Sequence, residues 1–327
     1  MNDAKILLSG VKPTGRPHIG NYFGAMKQFV DLQNDYECFF MIADYHALNF
    51  VQNGKEMKGL ILDLALDYLA IGIDPVKSTI FQQSAISEHT ELSWIFEAIT
   101  TVPYLERAHA FKDAESRGKE VSVGTFNYPM LMAADILLYD PDVVPVGQDQ
   151  KQHIEITRDT AEKFNRIFGE TFKLPEALIL ESVKTVPGTD GQKMSKSHKN
   201  TIGLFASDEE IADAVMKIPT DSKGVEDPKD PETDNVFALH KLFTEGPEFG
   251  ELRDKYEAGG IGYKESKEIL IKNIVKFVTP IRERRASLEK DIPSVIEILR
   301  KGAKKAKERA SEKMADVRMK VGVTLDK

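Results

Sequence analysis

Cysteine is almost absent from this sequence, since Cys38 is the only one in 327 residues. A single thiol excludes an internal disulfide framework, and it excludes a zinc or iron–sulfur site built from several cysteines. Cys38 lies inside the apolar run CFFMIA. We therefore interpret it as a small buried core residue rather than as a reactive thiol.

Long hydrophobic runs are missing as well. The longest compact one, CFFMIA, is far too short to span a bilayer. The N-terminal stretch MNDAKILLSG lacks the basic region and the long apolar stretch of a signal peptide. We therefore expect a cytoplasmic protein, and the length predicts two domains.

An excess of positive charge is absent too, because the net charge is −8, which argues against a generic binder of polyanions. Residues 282–320 are the exception, with thirteen Lys and Arg against seven Asp and Glu, so the remainder carries about −14. This basic segment indicates either a surface that faces phosphate groups or a solvated helix face of mixed charge. The sequence leaves both interpretations open.

Short apolar strands alternate with helices in the first half of the chain. This alternation predicts an α/β fold, a Rossmann-like doubly wound parallel sheet, in which ligands gather at the carboxyl ends of the strands. The predicted strands span 5–9, 38–44, 78–84 and 143–147, and the predicted helices span 21–34, 55–71, 88–99, 103–112, 128–139 and 150–168.

The character of the chain changes near residue 185. A Gly-, Lys- and Ser-rich stretch without apolar periodicity predicts a mobile loop, and charged amphipathic patterns after it predict an all-helical domain. We expect a Rossmann-type domain at 1–184, the loop at 185–205, a helical domain at 206–290 and a C-terminal helix at 291–327 that packs back on the first domain. The helical patterns cover 207–217, 234–245, 247–257, 264–288 and 291–319.

The stretch PTGRPHIGN follows the first predicted strand and opens a helix. Gly20 would let a nucleotide approach the backbone closely, and His18 and Asn21 carry donors for a phosphate oxygen. The pattern is neither a Walker loop nor a dinucleotide fingerprint, so by itself it is also consistent with an ordinary loop histidine.

The stretch KMSKS at 193–197 lies between Gly188 and Gly191 on one side and a polar stretch on the other. Lys193 and Lys196 supply point charges and Ser195 a hydroxyl group, which suits nucleotidyl transfer, because that chemistry depends on positioning and charge neutralisation. The alternative is a solvated Lys/Ser loop.

Asp135 lies within the apolar run YPMLMAADILLYD and has no cationic neighbour in the sequence. Tyr128, Met132 and Asp135 fall on one face of a helix that we expect to begin with Pro129 in its first turn. A carboxylate on an apolar floor suits a ligand ring that carries an N–H donor. The alternative is a structural role, in capping or in pairing with a distant arginine.

HIGN followed by KMSKS resembles the two signatures of the class I aminoacyl-tRNA synthetases. The blocks SGVKPTGRPHIGNYFGA, YPMLMAADILLY and VPVGQDQKQHIEITRD are similar to the tryptophanyl-tRNA synthetase family, and this resemblance covers residues 6–203. It implies that Asp135 accepts the indole N–H, and that Met132, where tyrosyl relatives carry Gln, favours tryptophan. It also implies that Tyr128 and Gln150 hold the substrate ammonium group and that His46 lines the pocket.

The resemblance further implies an ATP site. His18 and Asn21 would orient phosphates, and Lys193 and Lys196, with Ser195, would stabilise the departing pyrophosphate. Two positions depart from the family: Gln148 replaces the usual Glu, and Lys12 stands where many members have Gln. The full set of implied ATP-binding positions is Lys12, Pro13, Thr14, Gly20, Asn21, Gly147, Gln148, Asp149, Val183, Lys193, Met194, Ser195, Lys196 and Ser197.

The implied reaction is the ATP-dependent activation of tryptophan and its transfer to tRNA. ATP would be a substrate that brings Mg²⁺ with it, and no protein metal site is expected. The resemblance also implies a homodimer whose helical domain reads the anticodon. A tyrosine-specific synthetase and a non-catalytic paralogue that senses tryptophan or nucleotide remain the alternatives.

Overall fold

The computed structural model describes residues 4–108, 111, 121–147, 151–179 and 186–325. Four predicted site residues, Gln148, Asp149, Gln150 and Val183, lie outside these ranges. None of the helices in the described ranges is long and apolar enough to cross a membrane.

A five-stranded parallel sheet forms the centre of the first half of the chain, with strand order β3-β2-β1-β4-β5. Side chains alternate between two cores, so Leu7 packs on one face of the sheet and Leu8 on the other. The predicted fold class is confirmed. The strands are β1 (Ile6–Val11), β2 (Glu37–Ile42), β3 (Thr79–Gln82), β4 (Val143–Pro145) and β5 (Glu176–Leu178).

Helices cover both faces of this sheet. α4 ends at Gly72, whose φ of 108° lies in the left-handed region that glycine tolerates. The helices of this half are α1 (Ile19–Asn21), α2 (Lys27–Leu32), α3 (Asp44–Ala47), α4 (Gly54–Ile71), α5 (Glu88–Ile99), α6 (Val102–Leu105), α7 (Val123–Leu137) and α8 (Lys151–Phe168), with a π-helical segment at Tyr22–Met26.

The second half is helical in its described residues. Its helices are α9 (Asp208–Met216), α10 (Asn235–Phe243), α11 (Gly246–Ala258), α12 (Tyr263–Leu288) and α13 (Ile292–Val321). α12 packs on α4, and α13 packs on β3 and α5. At Gly302 of α13 a Cβ atom would lie 1.9 Å from the carbonyl oxygen of Ile80, so only glycine allows this approach. The division into domains at 184, 205 and 290 stays a prediction.

Three local predictions were wrong. β5 was missed, since three residues with mixed exposure carry no alternation. α7 begins at Val123 rather than near residue 128, because the Ser122 hydroxyl group accepts the N–H of Thr125 as the N-cap, and Pro129 therefore lies inside the helix. α6 ends at Leu105, short of the predicted 103–112, of which 109, 110 and 112 lie outside the described residues.

Candidate active site

His18 caps the helix that follows β1. Its Nδ1 accepts the N–H of Asn21 at 3.3 Å, and the Asn21 Oδ1 accepts the N–H of His18 at 3.0 Å. Burial, together with the charge of Lys196, lowers the pKa of His18 to about 4, so the ring is neutral near pH 7. Because Nδ1 is the acceptor, the ring proton resides on Nε2. His18 therefore offers a neutral N–H donor rather than a cation.

The KMSKS loop lies directly against this turn. Ile19 donates its N–H to the carbonyl of Ile202 at 2.9 Å, and Leu204 donates to the carbonyl of Pro17 at 3.1 Å. The N–H of Gly20 points at the Met194 Sδ, 3.3 Å away. Met194 is buried in the core beneath the loop. The two stretches that sequence analysis singled out thus form one surface.

Asn200 holds the loop together. Its side-chain oxygen accepts the N–H of Ser195 at 2.7 Å, and its amide nitrogen donates to the carbonyl of Lys193 and to Asp190. A Cβ atom at Gly188 would lie 2.3 Å from the Asn200 amide nitrogen, so Gly188 is needed for close packing. We expected a mobile loop hinged by glycines, whereas in this state the segment is a folded turn.

Three lysines surround the turn without carboxylate partners. In the described ranges no Asp or Glu lies within ion-pair distance of Lys12, Lys193 or Lys196. Lys196 Nζ donates to the carbonyl of Thr14 at 3.4 Å, and Lys12 Nζ lies 5.0 Å from the centre of the Phe50 ring. Desolvation lowers the pKa of Lys12 and of Lys196. Lys193 is exposed, and its backbone pairs with Pro187.

Asp135, the buried carboxylate of α7, has partners that are distant in sequence. Its Oδ2 lies 2.7 Å from the Nε2 of His46, and its Oδ1 accepts from Gln83 at 2.7 Å. The Nδ1 of His89 also lies 2.7 Å from Oδ1. Burial alone would raise the pKa of Asp135, but the two histidines lower it to about 2. The alternative of a distant arginine partner is not what the structure shows, because two histidines and an amide contact the carboxylate.

Of the remaining predicted pocket residues, His46, Tyr128 and Met132 lie within the described ranges. The His46 and Tyr128 rings meet edge to face with their centroids 6.2 Å apart, and Met132 and Tyr128 are half-buried on the same helix. The Tyr128 hydroxyl group bonds to His153, and burial raises the pKa of Tyr128 to about 12, so it stays protonated. These side chains form a largely apolar wall with one ionised acceptor.

The other predicted ATP-binding residues that the structure describes lie at the same end of the sheet. Pro13 is buried behind the exposed Thr14, and the Ser195 and Ser197 hydroxyl groups are 2.7 Å apart. Gly147 is exposed just after β4. Within the described ranges no group of three or more His, Cys, Asp or Glu could hold a metal ion.

Sequence reasoning missed Gln83, His89 and Asn200. Gln83 follows the carboxyl end of β3, and this position in a parallel sheet was a usable signal. His89 and Asn200 gave none, because a lone histidine near a helix start and an asparagine in a polar loop look ordinary.

Comparison with known proteins identifies the family. The family model of class I tRNA synthetases for W and Y matches residues 2–279. The chain is 50% identical over 317 residues to a tryptophan–tRNA ligase of Fusobacterium nucleatum, covering 97% of each, and 48% identical to one of Rhodopirellula baltica, covering 97% of this chain and 99% of that one. A crystal structure of tryptophanyl-tRNA synthetase from Campylobacter jejuni, complexed with ADP and tryptophan, superposes with a TM-score of 0.92 at 46% identity, covering 97% of this chain and 99% of that chain. The chain thus belongs to the class I tRNA synthetases of the tryptophan and tyrosine group.

Proposed function

We propose that this chain is a ligase that joins tryptophan to its tRNA. The tryptophan carboxylate attacks the α-phosphate of ATP and pyrophosphate leaves. A ribose hydroxyl group of the terminal adenosine of the tRNA then attacks the tryptophanyl-adenylate, so that the tryptophanyl ester forms and AMP leaves. One observation carries the proposal: the KMSKS loop is bonded to the HIGN turn, so that Lys196 Nζ lies 3.4 Å from the Thr14 carbonyl beside His18.

The residues divide into two roles. Lys196 and Lys193 stabilise the charge that develops on pyrophosphate, with Ser195 beside them, and the neutral Nε2–H of His18 and the amide of Asn21 orient phosphate oxygens. Lys12 adds a third cation that has no carboxylate within ion-pair distance among the described residues. We also propose ATP contacts for Pro13, Thr14, Gly20, Gly147, Gln148, Asp149, Val183, Met194 and Ser197.

Asp135 accepts the indole N–H, and Met132, Tyr128, His46 and Gln150 complete the tryptophan site. Two observations support this. Asp135 is a buried, ionised carboxylate, and relatives up to 50% identical are tryptophan–tRNA ligases. ATP brings Mg²⁺ with it, held mainly by the phosphates, as is usual for this ion.

The proposal also covers the partners of the chain, which are tRNA and a second copy of the chain. Residues 206–290 read the anticodon, and the chain works in the cytoplasm as a homodimer. Leu48, Phe50 and Val123 are exposed apolar side chains. Gly124 lies against the side chain of Asn49, so the two segments adjoin, and we propose that a second copy covers them. Sedimentation at micromolar concentration tests this, since a monomer would refute it.

The exchange of labelled pyrophosphate into ATP tests the reaction. We expect exchange that depends on tryptophan and is not supported by tyrosine. Exchange driven by tyrosine would favour the alternative specificity, and no exchange with either amino acid would indicate a non-catalytic paralogue.

The substitution Asp135→Asn tests the pocket. Loss of a charge-assisted hydrogen bond should weaken transition-state binding of tryptophan by roughly 1.5–3 kcal/mol, which is measured as a lower kcat/KM. The loss in kcat/KM should be much smaller for the analogue whose ring N–H is replaced by sulfur. Because Asp135 is paired with His46 and His89, we also expect a lower free energy of unfolding. Equal kinetic losses for the two substrates would contradict the assignment.

A further inference from the structure

His89 is a fully buried residue of α5 with polar contacts on both ring nitrogens. Its Nδ1 lies 2.7 Å from the Asp135 Oδ1, and its Nε2 lies 2.9 Å from the Tyr139 hydroxyl oxygen. Tyr139 is the last residue of the block YPMLMAADILLY, whereas His89 lies outside the three quoted blocks that carry the family resemblance. Both side chains are fully buried beside Asp135, the proposed acceptor of the tryptophan pocket.

The chemistry of the two partners fixes the proton on His89. Asp135 is an ionised acceptor, so the ring nitrogen that faces it carries the hydrogen, although the contact departs from a straight hydrogen bond. The other nitrogen, Nε2, then accepts from the Tyr139 hydroxyl group. Burial holds the pKa of Tyr139 well above its usual range, so this hydroxyl group keeps its proton. The three side chains form a chain of donors that ends on Asp135.

The contacts of Asp135 leave little room for further donors. Its two oxygens have about four lone-pair positions. His89 and Gln83 approach Oδ1, and His46 approaches Oδ2. Among the described residues, these contacts leave one acceptor position, on Oδ2. A carboxylate held by these neighbours cannot rotate to present a different oxygen.

The C-terminal helix supports this arrangement from outside. Arg309 of α13 donates to the carbonyl oxygen of Tyr139 at 2.7 Å, and Lys313 pairs with Asp140 at 2.6 Å. Ser311 donates to Glu88, the neighbour of His89, at 2.6 Å. The same helix thus holds the backbone at Tyr139 and the side chain of Glu88 beside His89.

We infer that His89, held by Tyr139, is a positioning residue that aims the free acceptor position of Asp135 at the ring N–H of the substrate. His89 thereby contributes to the selection of amino acids whose ring carries an N–H donor. This inference rests on the proposed role of Asp135 as the acceptor. A residue that only fills the core would affect all substrates alike, so the two roles differ in a measurable way.

The test compares tryptophan with its benzothiophene analogue, which has sulfur in place of the ring N–H, in amino-acid-dependent pyrophosphate exchange. In His89→Leu the donor is lost, and kcat/KM for tryptophan should fall about tenfold or more, against less than about threefold for the analogue. His89→Asn places an amide donor near the position of Nδ1 and should recover most of the tryptophan activity. Recovery by Asn together with the selective loss in Leu is the expected result.

Tyr139→Phe keeps the ring and removes only the hydroxyl group, so it serves if His89→Leu does not fold. We expect the same selectivity with a smaller loss for tryptophan, about three- to tenfold. Equal losses for the two substrates in His89→Leu, or in Tyr139→Phe where that variant replaces it, would overturn the inference. Asp135→Asn in the same assay distinguishes a failure of the role of His89 from a failure of the acceptor role of Asp135. If Asp135→Asn discriminates and the His89 variants do not, only the role of His89 fails, whereas equal losses in Asp135→Asn refute the acceptor role itself.

Discussion

The lysines of the KMSKS surface and the cations of residues 282–320 have opposite environments. Lys12, Lys193 and Lys196 have no carboxylate within ion-pair distance in the described ranges. In the basic segment, by contrast, Arg285 pairs with Asp63, Asp67 and Glu289. Other pairs join Arg282 to Asp208, Lys305 to Glu37, Lys313 to Asp140 and Arg318 to Glu91.

This difference separates two uses of positive charge. A cation that lacks a partner at the end of a sheet is available to a phosphate, whereas a paired cation between two helices joins parts of the fold. Arg285 is 3% exposed, so it cannot contact tRNA while the chain is folded. Arg284 donates to the carbonyl of Ala70 at 2.7 Å. For Arg285, both interpretations of the basic segment, a phosphate-facing surface and a solvated face, were wrong.

The largest expected effect concerns Arg285→Met. Removing one partner of a buried pair leaves Asp67 and Asp63 without their cation, and we expect the free energy of unfolding to fall by about 3–5 kcal/mol. Chemical denaturation measures it. The double variant Arg285→Met/Asp67→Asn should be more stable than Arg285→Met alone, because it removes the unpaired charge. A loss below about 1 kcal/mol in the single variant would show that the pair is not structural.

Lys196→Ala should act on the reaction instead. Loss of this charge should raise the activation free energy of pyrophosphate exchange by about 2–4 kcal/mol. The result should be a lower kcat with little change in the tryptophan KM. Lys199→Ala, in the same loop but outside KMSKS, is the matched control and should exchange at nearly the wild-type rate. Similar losses in both variants would mean that the loop acts through its overall charge.

A smaller effect is expected of pH on the free energy of unfolding. Burial lowers the pKa of His18 and of His240 to about 4, whereas an unfolded histidine titrates near 6.5. Between pH 6.5 and pH 4 the unfolded chain therefore binds more protons than the folded chain. The stability that the two neutral histidines contribute above pH 6.5 is lost as the pH falls toward 4. Asp67 acts in the opposite direction, since burial, partly offset by Arg285, raises its pKa to about 6.

We expect each histidine to contribute on the order of 1–3 kcal/mol to this loss. Denaturation curves between pH 7 and about pH 4.5 measure the slope, which should be shallower in His240→Asn. The same slope in both proteins would assign the acid sensitivity to other groups.

Local patterns in the sequence predicted the fold well, because strands such as β2 are continuous apolar runs and helices such as α4 end at glycine. The sequence also brought His18, Asn21, Lys196 and Asp135 forward as candidates. It did not show that His46, Gln83 and His89 converge on Asp135, since this contact depends on how four elements pack. It also counted the charges of residues 282–320 without showing which of them are paired.

One thermal-shift measurement tests the division between free and paired cations most directly, with inorganic pyrophosphate as the ligand of the lysine surface. A ligand at a hundred times its Kd stabilises the folded state by about 2.7 kcal/mol. We expect Arg285→Met to have a lower Tm but the wild-type shift with pyrophosphate, and Lys196→Ala to have the wild-type Tm but a much smaller shift. A full shift in Lys196→Ala, together with its loss in Arg285→Met, would contradict the assignment of free lysines to phosphate and paired arginine to the fold.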